Sequence, residues 1–214
     1  MKTIKIEKKI LEKNEEQAAQ LRKVLKENNI LTINLLGSPG AGKTTILEKL
    51  LANLGQKKKI AVIEGDLYTN RDAERLEKHD VQIIQINTGG ACHLEANMVR
   101  QAVAKLNLLD IDILVIENVG NLVCTASYDL GEDIKITVLS VPEGSDKLLK
   151  YPHIFQNSEV LIINKIDLIP HTDFSLEKIK DDLSKMNKNI KIFKLSCKTQ
   201  EGIEGLCEFL EEKS

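Results

Sequence analysis

Short apolar runs alternate with amphipathic stretches along this chain. Seven runs are almost continuously apolar, as strands covered on both faces are: 31–36, 60–64, 81–86, 113–117, 134–141, 160–164 and 190–195. Helical periodicity predicts helices between them, over about 7–28, 43–54, 70–79, 94–107, 145–156, 175–187 and 202–212. This alternation predicts an α/β fold with a mostly parallel sheet of about seven strands, covered by helices on both faces.

The first predicted helix has an apolar stripe, and it precedes the first predicted strand. Its apolar residues recur at helical spacing: Ile10, Leu11, Ala18, Leu21 and Leu25. We therefore expect two parts, an amphipathic N-terminal helix in residues 1–30 and a nucleotide-binding domain in residues 31–214. The helix is expected to pack on that domain, and contact with a partner subunit is the alternative.

Composition excludes several functional classes. The 214 residues suffice for one α/β domain, and the net charge of -2 gives no basic surface for nucleic acid. The start has no apolar leader-like region, and no apolar stretch reaches membrane-spanning length. We therefore expect a cytoplasmic protein whose four cysteines are reduced and available to bind metal.

A phosphate-binding motif follows the first predicted strand directly. Residues 37–44 match G-x-x-x-x-G-K-[ST], in which glycines let backbone N–H groups turn toward phosphate oxygens at a helix N-terminus. Lys43 is expected to reach the β and γ phosphates, and the Thr44 hydroxyl to bind Mg²⁺. The predicted nucleotide contacts are Gly37, Ser38, Gly40, Ala41, Gly42, Lys43 and Thr44.

Two later motifs indicate which base is bound. Asn164-Lys165-Ile166-Asp167 ends the sixth predicted strand, and Ser196-Cys197-Lys198 ends the seventh. An ionised Asp167 accepts hydrogen bonds from guanine N1–H and the 2-amino group, whereas adenine presents a lone pair at N1. The stem of Lys165 is expected to lie over the base, and Asn164 to tie this loop to the phosphate-binding loop. The order of the two motifs resembles the guanine-specificity motifs of GTPases and predicts GTP.

Acidic residues at two strand ends are the candidates for magnesium binding. Mg²⁺ takes one or two carboxylates besides phosphate oxygens and water, and Asp66 and Glu117 end predicted strands near the phosphate-binding loop. Asp72 is a further candidate, for orienting the attacking water. Neither glutamine nor arginine follows Gly120, so we predict slow GTP hydrolysis. The predicted hydrolytic residues are Lys43, Asp66, Asp72 and Glu117.

Cysteine and histidine residues in two predicted loops form a candidate transition-metal site. Cys92 and His93 follow the third predicted strand, and Cys124 lies seven residues after Glu117. Thiolate and imidazole ligands suit both Zn²⁺ and Ni²⁺. By spacing alone, packed structural cysteines are the favoured interpretation and metal binding is the alternative. Three ligands also need a fourth, from water or from a second subunit.

Several segments resemble the HypB family, the nickel-insertion GTPases of [NiFe]-hydrogenase maturation. The resemblance runs from about residue 30 to the end of the sequence, and residues 117–124 are its most specific part. The other matching segments are Glu64-Gly65-Asp66, Thr88-Gly89, Cys92-His93-Leu94, Asp129-Leu130-Gly131, Glu143-Gly144, Lys150-Tyr151-Pro152 and Asn164-Lys165-Ile166-Asp167.

This resemblance implies a fold of the signal-recognition and MinD-like branch of P-loop GTPases, with dimerisation driven by GTP. Nickel or zinc would bind at the dimer interface through Cys92, His93 and Cys124. The nucleotide site would extend over residues 37–45, including Thr45, with Mg²⁺ near Asp66 and Glu117. Nickel would pass toward the hydrogenase large subunit with a small zinc-containing metallochaperone.

The sequence departs from the family pattern at a few positions, and three alternative functions stay open. Thr125 stands where proline is common, which predicts a more mobile loop, and Gly90 stands where lysine is common. The Cys-rich or His-rich segment that precedes the domain in some members is not expected here. The alternatives are a urease-accessory GTPase, whose motif is Cys-Pro-His, a cofactor-chaperone GTPase of the methylmalonyl-CoA mutase type, and a passive nickel or zinc buffer.

Overall fold

The computed structural model describes residues 6–66 and 75–214. Its strands are β1 (Leu31–Gly37), β2 (Ile60–Asp66), β3 (Gln82–Asn87), β4 (Ile113–Glu117), β5 (Ile134–Ser140), β6 (Val160–Asn164) and β7 (Lys191–Leu195). Its helices are α1 (Ile6–Glu27), α2 (Lys43–Leu54), α3 (Ala96–Val103), α4 (Lys147–Lys150), α5 (Pro152–Gln156), α6 (Leu176–Met186) and α7 (Ile203–Lys213). Short 3₁₀ turns cover Leu108–Asp110, Cys124–Ala126, Val141–Glu143 and Ile166–His171.

The seven described strands form a single sheet in the order β3-β2-β4-β1-β5-β6-β7. Every strand pair in it is parallel. All seven residues of β1 are buried at the centre of the sheet. Its two neighbours are β4 and β5, so the strand order changes direction at β1. Ligands of such folds bind outside the carboxyl ends of the strands at this point, which is where the phosphate-binding loop begins.

The apolar stripe of α1 packs on the domain over only part of its length. Ala18, Leu21 and Leu25 are buried, whereas Ile10 is 46% exposed. Asn14 lies on the same face and is also buried. The apolar stripe of α1 is therefore buried from Ala18 onward and exposed at Ile10. Among the described residues, no helix is both long enough and apolar enough to cross a bilayer.

The strand predictions are confirmed to within two residues, and two helix predictions need correction. The helix predicted over 94–107 is the shorter α3, because Glu95 is extended and the helix ends at Val103. The helix predicted over 145–156 is two short helices, α4 and α5. Tyr151 separates them with non-helical backbone angles, as expected for a residue that precedes proline. Half of the helix predicted over 70–79, residues 70–74, lies outside the described residues.

Candidate nucleotide and metal site

The phosphate-binding loop has the backbone conformation that its glycines allow. Gly40 and Gly42 have φ angles of 73° and 99°, values that glycine adopts without steric cost. Helix α2 begins directly after Gly42, at Lys43. The positive end of its dipole and its first N–H groups therefore face the same space, which is the arrangement that binds phosphate.

A cavity of about 410 Å³ lies between this loop and the ends of β2 and β4. The Thr44 hydroxyl donates to Glu117 Oε1 over 2.8 Å, and both residues are buried. Glu64 pairs with Glu117 across the adjacent strands, so the acidic strand ends meet here. Asp66 lines the same cavity. Hydroxyl and carboxylate oxygens of this kind fit the ligand preference of Mg²⁺.

Two basic residues, Lys43 and Arg75, also line this cavity, and of these two only Lys43 was predicted from the sequence. The Lys43 Nζ lies 3.4 Å from the Gly37 carbonyl oxygen and 3.5 Å from that of Ser38, beside the cavity. Arg75 also lines the cavity and donates to Thr45 Oγ1 over 3.1 Å. Arg75 was not predicted, because it belongs to no recognisable sequence motif. Asp72 lies outside the described residues.

A second cavity of about 380 Å³ adjoins the first and contains the predicted base-recognition residues. The Asp167 carboxylate accepts a hydrogen bond from Ser196 Oγ over 2.6 Å, which orients it. The sequence missed Leu168, which contributes apolar surface. The residues that line the cavity are Gly42, Thr45, Asn164, Lys165, Asp167, Leu168, Ser196, Cys197 and Lys198.

Residues 164–168, here called the base loop, contact the phosphate-binding loop, and these contacts lie between the two cavities. Asn164 Nδ2 donates to the Ala41 carbonyl over 2.9 Å, so the predicted tie between these loops is confirmed. Lys165 Nζ donates to the Gly40 carbonyl over 2.7 Å. A Cβ at Gly42 would lie only 2.4 Å from Asn164 Nδ2. Glycine at this position therefore lets the base loop approach the phosphate-binding loop.

The predicted metal ligands come together from two loops. One donor atom each from Cys92, His93 and Cys124 lies within 4.8 Å of the others. The two sulfur atoms are 2.9 Å apart, and Cys92 Sγ is 3.7 Å from His93 Nδ1. Two sulfurs and one imidazole nitrogen form a donor set that fits Ni²⁺ or Zn²⁺.

Burial and neighbouring groups shift the pKa values of two side chains in the cluster and of the two cysteines outside it. Contact with the Cys92 thiol, together with burial, raises the pKa of Cys124. Burial lowers the pKa of His93, and nearby Glu95 opposes this effect, so the ring is held in the neutral form that binds metals. Burial raises the pKa of Cys197 and of Cys207 to about 11, which makes both of them inert thiols.

An aromatic ring that the sequence did not indicate completes the cluster. Tyr128 stacks on His93 with a centroid distance of 3.9 Å and an interplanar angle of 26°. Stacking holds the imidazole in one plane. Only the short separation from Cys124 could have pointed to Tyr128, and an isolated tyrosine carries no metal-site pattern of its own.

The loop of Cys92 and His93 packs against the strands that border the phosphate cavity. Leu94 is fully buried, and a Cβ at Gly65 would lie 2.8 Å from its Cδ1. The backbone N–H of Leu94 donates a hydrogen bond to Asn118 Oδ1 over 3.3 Å. Gly65 and Asn118 both line the phosphate cavity. Leu94 thus links the cluster directly to that cavity.

Comparisons with known proteins agree with this geometry. The model of the CobW/HypB/UreG nucleotide-binding domain matches residues 31–194. The hydrogenase/urease maturation factor HypB of Helicobacter hepaticus is 46% identical over 216 residues, which cover 99% of this chain and 88% of that protein. The chain belongs to the HypB family. The probable hydrogenase maturation factor HypB of Methanocaldococcus jannaschii is 42% identical, over 97% of this chain and 94% of that protein.

A solved HypB structure has the same fold. The crystal structure of HypB from Helicobacter pylori in complex with nickel matches with a TM-score of 0.90 and 44% identity, and the match covers 94% of each chain. The predicted family and the predicted P-loop α/β fold are therefore confirmed, with a sheet that is wholly parallel within the described residues.

Both departures from the HypB family pattern have a visible structural setting. The Thr125 side chain is buried, and its hydroxyl donates to the Asn121 carbonyl over 2.6 Å. The hydroxyl thereby supplies a tie to the loop at a position where this family commonly has proline. Gly90 has a φ of 99°, which disfavours the side chain of lysine at this position.

Proposed function

We propose that this HypB-family chain is a GTP-hydrolysing metallochaperone switch, which binds nickel or zinc and delivers nickel for [NiFe]-hydrogenase maturation. One observation carries the proposal: Cys92, His93 and Cys124 converge to within 4.8 Å, and the loop that leads to Cys124 begins at residues that line the phosphate cavity. The nickel complex of the Helicobacter pylori relative and the maturation-factor names of the relatives add support.

Guanine nucleotides are the proposed ligands of the cleft. Asp167, oriented by Ser196, would accept the two guanine donors, and Lys165 would cover the base. Lys43 and the N-terminus of α2 would hold the phosphates. Mg²⁺, held by Thr44 and by Glu117 or Asp66, would neutralise charge on the β and γ phosphates. Hydrolysis is expected to be slow.

The metal cluster is proposed to change with the nucleotide state. The γ phosphate would order the loops after Asp66 and Glu117, and its loss would loosen them. Movement of these loops changes the position of Cys124 relative to Cys92 and His93. Because a ligand shifts an equilibrium only through different affinities for the two states, nickel must bind the GTP and GDP forms with different strength.

A homodimer stabilised by GTP is proposed, with the metal at its interface. The three donors leave one position of a tetrahedral site for a second copy or for water. Val123, next to Cys124, is 62% exposed and offers apolar surface for such a contact. Further proposed partners are a small zinc-containing metallochaperone and the hydrogenase large subunit.

Nickel titration in two nucleotide states tests the switch. Ni²⁺ affinity and release rate are measured with bound GDP and with a non-hydrolysable GTP analogue, while sedimentation reports dimer formation. We expect the two affinities to differ at least fivefold, which corresponds to a coupling free energy of about 1 kcal/mol. Equal affinities and equal release rates would overturn the switch and leave a passive metal buffer.

Urease maturation is a second candidate for the recipient of the nickel. The relative from Helicobacter hepaticus, at 46% identity, carries both hydrogenase and urease in its name. Supplying nickel-loaded protein separately to a metal-free hydrogenase large subunit and to metal-free urease distinguishes the two recipients. Activation of only one of them identifies the target.

A further inference from the structure

Asn121 lies between the phosphate-binding loop and the metal cluster. Its backbone N–H donates to the Gly37 carbonyl over 3.1 Å, and these residues form an isolated antiparallel bridge. Gly37 is both the last residue of β1 and the first residue of the phosphate-binding motif. The backbone of Asn121 is therefore attached to the nucleotide side of the molecule.

The side chain of Asn121 is bonded to the residues that follow it, in the turn that contains Cys124. Its Oδ1 accepts hydrogen bonds from the Val123 N–H over 2.7 Å and from the Cys124 N–H over 3.0 Å. The hydroxyl of Thr125 donates to the Asn121 carbonyl. These bonds close the loop into the 3₁₀ turn Cys124–Ala126, which presents the Cys124 sulfur to Cys92.

The surroundings of Asn121 leave little room for the two loops to move independently. A Cβ at Gly120 would lie 2.9 Å from the backbone nitrogen and from Cγ of Pro39. A Cβ at Gly37 would lie 2.8 Å from the Val138 carbonyl oxygen. Because Gly120 lies against Pro39, the phosphate-binding loop packs directly on the residue that precedes Asn121.

We infer that Asn121 is a positioning residue, which fixes the Cys124 thiolate relative to the phosphate-binding loop. It acts through Cys124, since its bonds are to backbone groups of the turn. The inference rests on the proposed function in one respect, that Cys124 binds nickel. An acceptor on a short side chain is required, because one oxygen serves two consecutive N–H groups.

Two substitutions of Asn121 and one control test this role. Asn121→Ala removes the side-chain acceptor and keeps the backbone bond to Gly37. Asn121→Asp keeps an acceptor of the same length. Ser127→Ala is the matched control, because Ser127 is an exposed residue that directly follows the same turn. Ni²⁺ affinity, the thiolate-to-nickel charge-transfer band and GDP affinity are measured for each variant, after denaturation curves establish that it is folded.

We expect Asn121→Ala to bind Ni²⁺ about 10- to 100-fold more weakly, the usual range for residues that orient metal ligands. Its charge-transfer band should shift, while its GDP affinity stays within about twofold of the unmodified chain. Asn121→Asp should recover most of the affinity and the band, and Ser127→Ala should change neither. If Asn121→Ala does not fold, Asn121→Leu takes its place, because leucine is similar in shape to asparagine and has no acceptor; the same direction is expected.

The outcomes separate this inference from the proposed function. Unchanged Ni²⁺ affinity and an unchanged band in Asn121→Ala would overturn the inference and leave the switch standing. Equal Ni²⁺ affinities of the unmodified chain in its GDP and GTP-analogue forms would overturn the switch. In that case, weaker binding and a shifted band in Asn121→Ala would still support the positioning role.

Discussion

The nucleotide cleft and the Cys/His cluster lie at the same edge of the sheet but are assembled in different ways. The cleft takes most of its groups from continuous segments, the phosphate-binding loop and the base loop that follows β6. Backbone N–H groups at the start of α2 supply much of the cleft's capacity to bind phosphate. The cluster takes side chains from two loops, and Cys92 and Cys124 are 32 positions apart.

This difference decides how each region responds to change. A backbone cradle needs glycine at particular φ angles, so its residues are set by local conformation. A cluster of three side chains depends on contacts that hold two loops together, such as the packing of Leu94 on Gly65. We expect substitutions in the base loop to leave the cluster intact, and substitutions in the cluster to leave GTP binding intact.

Asp167→Asn is expected to have the largest effect. It removes a charged acceptor for two guanine donors, each bond being worth about 1.5–3 kcal/mol, so GTP affinity should fall by about 100-fold or more. Affinity for xanthosine triphosphate should rise. Fluorescent-nucleotide titration measures both, and Ni²⁺ affinity without nucleotide is the control. Retention of full GTP affinity would contradict the base assignment.

Cys124→Ser tests the other side of the comparison. Loss of one thiolate should weaken Ni²⁺ binding by about 100-fold, while GTP affinity changes less than about twofold. Cys207→Ala is the control, since Cys207 is buried in the core, away from the cluster. Competition with a chromophoric chelator measures the nickel affinity. Equal losses in the two variants would mean that general destabilisation is the cause.

Gly42→Ala tests whether the cleft depends on backbone conformation. Alanine at a φ of 99°, with its Cβ 2.4 Å from Asn164 Nδ2, should lower the free energy of unfolding by about 1–3 kcal/mol and weaken GTP binding. Gly205→Ala lies in α7 with open space around the new Cβ, and should be stabilising by about 0.5–1 kcal/mol. Urea denaturation measures both. A neutral Gly42→Ala would show that the two loops need not approach closely.

Asp129→Asn should have the smallest effect, and it probes how α1 supports the cluster side. Asp129 follows Tyr128 and accepts a hydrogen bond from Arg22 of α1 over 2.6 Å. Burial by itself raises the pKa of Asp129, but the bonds from Arg22 and from the Gly131 N–H outweigh it and lower the pKa overall. We expect the free energy of unfolding to fall by about 1 kcal/mol at pH 7.

The pH dependence of this loss follows from the lowered pKa. A carboxylate with a depressed native pKa stabilises the fold above its unfolded pKa, and this contribution is lost as the pH falls through the native value. The difference between the unmodified chain and Asp129→Asn should therefore begin to shrink below about pH 4, the unfolded pKa, and should vanish once the pH lies below the lowered native pKa of Asp129. Asp146→Asn, at an exposed ion pair with Lys150, is the control and should change little. A difference that does not shrink as the pH falls below about 4 would contradict the argument.

The strands were predictable because burial on both faces requires continuous apolar runs. Such runs can be recognised in the local sequence without knowledge of the tertiary structure. Helix ends were less predictable. Tyr151 has non-helical backbone angles because it precedes proline, and Glu95 has an extended backbone. In the cleft, the order and spacing of the glycines, of Lys43 and of the base-loop motif were enough to predict their roles. Arg75 and Leu168 did not, because their roles come only from the cavity they line.

By itself, the sequence determined the parallel sheet, the phosphate-binding loop and the likeness to the HypB family, because each depends on residues that are close together in the chain. Only the tertiary structure decided that Cys92, His93 and Cys124 meet, that Tyr128 stacks on the imidazole, and that Asn121 joins Gly37 to the Cys124 turn. Those relations depend on distances between separate loops. The packing of strands sets such distances, and periodicity along the chain does not encode them.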